Sequence, residues 1–384
     1  MAIYNPTGSG NVHIDVVLTQ ISVAWPNEGL VGNVLFPSVP VQKQSNKYYI
    51  FQGREGWYPA LDDARAPGTE ANEVPGLTVS VGSYYAQEHA LQIAVTDEER
   101  ENADSPLSPD VDGTEMLASR IALGKEYRIY NLVTTAANFN SALTDALGDA
   151  AAAGYGPHWD GLTNAGAATA TAPTPVKDIR TAMRQVHKLA FLQPNQAIIP
   201  YKVMSALEDA TDFITRIQYV ERAILTPDLV AACLSLDNVV VPGFGIATNN
   251  PGQVLALSYL WNVEVLLAYT PPRPGLKVPA FAYQFTWGFA GGGAGGMGFG
   301  SGAFSGEGID PTPPSTLNPS SEAGGGRASN LVGGIVDRWR EERRASDIIR
   351  FRQRYDLELI GLDTNNKAIC GFLFTTALST AFTG

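Results

Sequence analysis

Histidine and cysteine are scarce in this 384-residue chain, which holds four of one and two of the other. Cys233 and Cys370 each lie in an apolar stretch and read as buried free thiols, which leaves no disulfide framework. His13, His89, His158 and His187 are scattered, and neither His-x-x-x-His nor Cys-x-x-Cys spacing occurs. The usual zinc patterns are therefore excluded and no metal is expected. No Gly-x-Ser-x-Gly elbow is present, and no Gly-Lys-Ser/Thr follows the glycine-rich run at 288–308, so neither a serine hydrolase nor a nucleotide cofactor is indicated. The runs Asp97-Glu98-Glu99 and Asp62-Asp63 read as solvated charge, because adjacent carboxylates diverge on most backbones. No enzyme and no cofactor are expected. Charged residues supply only 17% of the chain, against about 25% in typical proteins. The net charge of -12 disfavours specific binding to phosphate. No run of about 18 apolar residues occurs, and the start lacks a basic segment followed by an apolar one. The expectation is synthesis in the cytoplasm and no membrane contact.

What the chain has instead is 39 Gly, 25 Pro, 15 Tyr and 6 Trp. That much Gly and Pro predicts long irregular segments, and a neutral surface rich in Tyr and Trp suits burial by partners. The length exceeds the roughly 250–300 residues of a single core, which favours two lobes. Residues 1–35 read as an extended arm punctuated by Pro6, Gly8, Gly10 and Pro26. Lys47–Phe51, with the alternating Leu77, Val79, Val81, Leu91, Ile93 and Val95, reads as a long hairpin. Its connecting segment, 53–76, is too long and too aromatic for a plain linker. After an acidic turn, apolar residues at steps of three and four predict a helix over 114–139 with Thr114 as its N-cap. The Ala- and Gly-rich stretch 143–173 reads as a loop in which Tyr155, His158 and Trp159 are candidate anchors. An α/β texture follows over 175–285.

Near the end, Ile349, Phe351, Gln353 and Tyr355 fall on one face of a strand, with Arg350, Arg352 and Arg354 on the other. A turn at 363–367 leads into a strand at 369–374 in the same final sheet. The long helix is the expected partner of that sheet, which makes one lobe discontinuous. The densest charge signal is Arg338, Arg340, Arg343, Arg344, Arg350, Arg352 and Arg354, interleaved with Asp337, Glu341, Glu342 and Asp347. The interleaved acids and the missing aromatic stack argue against a nucleic-acid site. Guanidinium groups grip carboxylates in pairs, so contacts between subunits are the expected role. The natural complement on another copy is the loop carrying Arg54, Glu55, Trp57, Tyr58, Asp62, Asp63, Arg65, Glu70 and Glu73.

The order of these parts, with NVLFPSVPVQKQSNKYYIF before the hairpin and WREERRASDIIRFRQRYD near the end, resembles the major capsid proteins of tailed bacteriophages. The resemblance implies their α+β architecture, the Hong Kong 97 fold. Its parts would be an N-terminal arm (1–35), an extended hairpin or E-loop (36–95), and a peripheral domain (96–174 and 330–384) with a spine helix at 114–139. An inserted α/β axial domain (175–285) and a Gly/Pro-rich insertion (286–329) complete it. It also implies hexamers and pentamers closing into an icosahedral shell in the virion, around double-stranded DNA held without sequence-specific contacts. A separate scaffolding protein, a portal and, as a further option, a decoration protein are the implied partners. Two alternatives stand beside it: an encapsulin-like compartment enclosing a cargo enzyme, and a hydrolase using the α/β lobe.

Overall fold

A computed structural model describes residues 30–51, 64, 67–70, 79–103, 107–148, 155–217, 225–249, 253–254, 256–274, 278–287, 335–363 and 365–382. The chain opens with helix α1 (Gly32–Leu35), strands β1 (Ser38–Val41), β2 (Ser45–Phe51), β3 (Val79–Tyr85) and β4 (Gln87–Thr96), and helices α2 (Asp97–Glu101) and α3 (Pro109–Thr134). Next come β5 (Thr144–Ala146), α4 (Pro175–Ala190), β6 (Gln196–Ile198), α5 (Tyr201–Asp209), α6 (Thr211–Ile217), α7 (Pro227–Leu234) and β7 (Asn238–Val240). Strands β8 (Gly245–Ala247), β9 (Leu257–Tyr259), β10 (Val265–Ala268), β11 (Ala282–Trp287), β12 (Ile335–Glu341), β13 (Ser346–Leu359) and β14 (Gly371–Thr376) follow. Most of the expected arm and of the 286–329 insertion lies outside the described residues. The described residues form two compact units. One is drawn from Gln87–Ala122 and Trp287–Arg354, the other from Trp25–Ala86, Leu123–Thr286 and Tyr355–Gly384.

In the smaller unit, the first half of β13 pairs antiparallel with β12 and also pairs with β4. Its alternation is the expected one: Ile349 and Phe351 are buried, whereas Arg350 and Arg352 are only partly covered. The buried pair joins Val95 against Leu117, Ala118 and Ile121 of α3. Helix α2 begins with a full capping box, in which Thr96 and Glu99 satisfy each other's backbone N–H groups. Helix α3 starts five residues before the predicted N-cap. Proline at its first position costs no hydrogen bond there, and Thr114 sits inside the helix, its hydroxyl donating to the Asp110 carbonyl at 2.8 Å. The helix also stops short of the predicted end, at Thr134.

The larger unit is built on a sheet of order β5-β14-β10-β6-β7. All four residues of β10 are buried, as a central strand covered on both faces requires. Helix α4 lays Val176, Ile179, Ala182, Met183 and Val186 into a core shared with Trp159, Trp261, Phe372 and Phe374. Two expectations need correction here. The stretch 143–173 supplies a three-residue strand and four buried apolar side chains, Leu143, Leu147, Tyr155 and Trp159, so it is more than a loop. The turn after β13 does form, with Asp363 N–H donating to the Lys367 carbonyl at 2.9 Å, but the strands it joins enter different sheets. Phe372, Leu373 and Phe374 are apolar in succession and fit only a strand buried on both faces, beside β10.

The same unit holds a second set of strands. The last residues of β13 pair with β11, which also borders β1, and β2 with β3 makes a separate two-stranded ribbon. The ribbon is the first part of the expected hairpin, and most of its connecting segment lies outside the described residues. Leu91, Ile93 and Val95, expected in the same hairpin, instead lie on β4, which pairs with β13 in the smaller unit.

Candidate functional site

Each arginine of the predicted cluster that has a carboxylate partner finds it in its own chain. Arg340 Nη1 and Nη2 donate to the two oxygens of Asp97, at 2.5 and 2.6 Å. Arg338 donates to Asp347 at 2.6 Å and Asp110 at 3.2 Å, and Arg100 joins the same two carboxylates. Asp337 stands opposite Arg350 in the β12–β13 register and accepts from both Arg350 (2.9 Å) and Arg352 (3.2 Å). Arg354 donates to Glu88 at 2.7 Å while its guanidinium covers the Trp287 ring, 4.5 Å from the centroid. Arg344 reaches only Glu341, at 3.7 Å, and Arg343 is exposed.

These pairings set the charge states. The hydrogen bond from Arg340 holds the Asp97 carboxyl below its usual range, and that from Arg338 does the same for Asp347. At Asp337 burial works the other way, but hydrogen bonds from Arg350 and Arg352 outweigh it. Asp97 is thus an ion-pair partner and not the solvated charge expected. The interleaved acids Asp337 and Asp347 were visible in sequence. Asp97 and Glu88 were not, because 243 and 266 residues separate them from Arg340 and Arg354.

The second feature is the ribbon. At its base, Tyr84 stacks on Phe285 with ring centroids 4.8 Å apart, and Tyr48 tilts over the same ring at 5.4 Å. Tyr48 needs Gly82 opposite it: a Cβ there would lie 2.5 Å from the Tyr48 ring. Tyr85 N–H donates to Asp356 at 2.7 Å, and Tyr84 O–H donates to the Lys43 carbonyl at 3.2 Å. Glu358 shares this corner. Burial, then the charge of Asp356, push its carboxyl up to about 7. Tyr49, Tyr85 and Val81 are 69%, 58% and 52% exposed. A two-stranded ribbon with that much uncovered apolar surface is marginal alone and fits a contact with another surface. Of the loop residues expected to make such a contact, Glu70 is described and exposed. Arg54, Glu55, Trp57, Tyr58, Asp62, Asp63, Arg65 and Glu73 lie outside the described residues.

A third cluster was not anticipated. Glu126, only 2% exposed, accepts the Gly32 N–H at 2.6 Å, and Lys125 donates to Asn33 at 3.2 Å, which ties α1 to α3. Burial raises the Glu126 pKa and lowers that of Lys125. No stretch of sequence signals that Gly32 will meet a helix 94 residues later. None of the three features brings together the convergent polar groups of a reaction centre; all three are surfaces and braces.

No family model matches the chain. It is 23% identical to the major capsid protein of Burkholderia phage BcepMu over 262 residues, which are 68% of this chain and 78% of that protein. A second relative, the major capsid protein of Pseudomonas phage JBD67, is 28% identical over 120 residues, 31% of this chain and 38% of that one. Among solved structures, a phage-related protein from Bordetella bronchiseptica RB50 superposes with a TM-score of 0.57 at 18% identity, covering 94% of this chain and 97% of that one. The capsid of cyanophage P-SCSP1u gives a TM-score of 0.53 at 10% identity, covering 98% and 100%. The chain has the Hong Kong 97 fold of phage capsids.

Proposed function

We propose that this chain is the major capsid protein of a tailed phage, whose copies assemble through hexamers and pentamers into the icosahedral head around double-stranded DNA. The observation that carries this is a fold match running over 98% of the chain and the whole of a cyanophage capsid subunit, joined to 23% identity with a phage major capsid protein. The chain's work is structural, and its place is the virion. The ribbon with its connecting segment acts as the E-loop, α3 as the spine helix, and residues 175–285 as the core of the axial domain. Tyr49, Val81, Tyr85 and the residues of the connecting segment lie against a neighbouring copy. Arg343 and Arg344, both exposed and the latter held only by the long Glu341 pair, take part in contacts between subunits; the other arginines of the cluster brace the subunit first. A scaffolding protein and a portal complete the head, with a decoration protein as a further option.

Electron microscopy tests this reading. The purified chain, with its scaffolding protein supplied, forms closed shells; dispersed subunits under all such conditions contradict it. Sequencing what copurifies separates the two kinds of container: genomic DNA marks a phage head, a cargo enzyme an encapsulin-like compartment.

A further inference from the structure

The outward face of α4 carries Lys177, Arg180, Arg184 and Lys188, all exposed, with His187 beside them. At about 100° per residue these four lie within one narrow stripe of the helix. Among the described residues none of the four is in an ion pair. The only acid of the helix, Asp178, is fully buried on the opposite side, where it accepts the Gly156 N–H at 2.8 Å and the Trp159 Nε1–H at 3.0 Å. Among the described helices, α4 alone turns cations outward with no exposed carboxylate beside them. In a chain of net charge -12, such a stripe is not a by-product of general basicity. Two of its arginines are held in place: Arg180 Nη2 donates to the Cys233 carbonyl at 2.9 Å, and Arg184 Nε donates to the Arg180 carbonyl at 3.2 Å. Their remaining N–H groups are left for a ligand.

From Lys177 to Lys188 the stripe spans about 16 Å at 1.5 Å per residue. One strand of duplex DNA presents about five phosphates over that length. Between Lys177 and Lys188 no exposed aromatic or aliphatic side chain occurs, and the one exposed ring at the end of the helix, Phe191 at its C-cap, is too little apolar surface for the centre that a protein interface needs. We propose that this face of α4 contacts the packaged duplex through its phosphates, without sequence preference, and so marks the lumenal side of the subunit. The inference rests on the head-shell reading above. A weak contact per copy suffices, because a shell repeats it many times.

The test uses the full-length chain and a short fluorescent duplex of mixed sequence, followed by anisotropy from low to physiological salt. The expected plot of log affinity against log salt has a slope of about -3 to -4, equal for two unrelated sequences. The variant Lys177→Gln, Arg180→Gln, Arg184→Gln, Lys188→Gln keeps the wild-type circular dichroism spectrum and loses about tenfold or more in low-salt affinity. A control with Arg120→Gln and Arg273→Gln, both exposed elsewhere, binds as wild type. Equal binding by the stripe variant overturns the proposal. So does a wild-type chain that binds polyglutamate and not the duplex, which assigns the stripe to an acidic protein. Shell formation is scored separately by electron microscopy. Shells from both proteins with unchanged DNA binding overturn this inference alone; no shells from either overturn the head-shell reading and this inference with it.

Discussion

Arg340 and Asp97 form a two-pronged ion pair, both hydrogen bonds at 2.6 Å or less, between strand β12 and the first residue of helix α2. The carboxylate also sits where a helix N-terminus favours negative charge. Asp97, Asp337 and Asp347 all have depressed pKa values, so they bind fewer protons folded than unfolded near their ordinary value of 3.8. Their contribution to stability is present above that pH and is lost as pH falls through the lower folded values. Denaturant midpoints of the dissociated subunit are expected to drop below pH 4, and Asp97→Asn to reduce that acid dependence while lowering the midpoint at pH 7.

Reversing charge on β13 should damage the subunit before it damages any assembly. Arg350→Glu with Arg352→Glu places two carboxylates beside Asp337, which now accepts from both arginines. A loss of roughly 1–3 kcal/mol is expected in urea unfolding. Arg343→Glu with Arg344→Glu should change stability by no more than about 0.5 kcal/mol, since both are exposed, yet lower the yield of shells.

Gly32 is fixed by a close approach. A Cβ there would lie 2.6 Å from Ile129 Cδ1 and 2.7 Å from the Glu126 carboxylate. Gly32→Ala is expected to cost roughly 1–3 kcal/mol by overpacking, measured by the same unfolding experiment.

The corner under the ribbon carries the opposite pH dependence. Glu358 is raised from 4.5 to about 7, so the folded state holds its proton longer than the unfolded one does. Its contribution is fully present below pH 4.5 and is lost as pH rises to about 7. Glu358→Gln should therefore raise the thermal midpoint at pH 8 and leave it nearly unchanged at pH 4. An equal shift at both values would contradict the assignment.

Elements governed by local periodicity were legible in the sequence. The two faces of β13 and the α/β texture of 175–285, which the structure fills with α4 to α7 and β6 to β11, need only neighbours within a few residues. The start of α3 was misplaced because Thr114 looked like a cap, although Ser108-Pro109 carried the better signal. What escaped was long-range. Nothing near Arg340 or Arg354 announces Asp97 or Glu88, so the charged strand read as an interface when much of its charge is met within the subunit. The same limit hid the placing of β14 beside β10 and the seating of Gly32 on Glu126.

The measurement that bears most directly on assembly is an electron cryo-microscopy reconstruction of the shell, fine enough to place side chains. The account predicts that Tyr49, Val81 and Tyr85 of every copy are covered by a neighbouring copy. Shells in which those three side chains face solvent, or rest on their own chain, would contradict it.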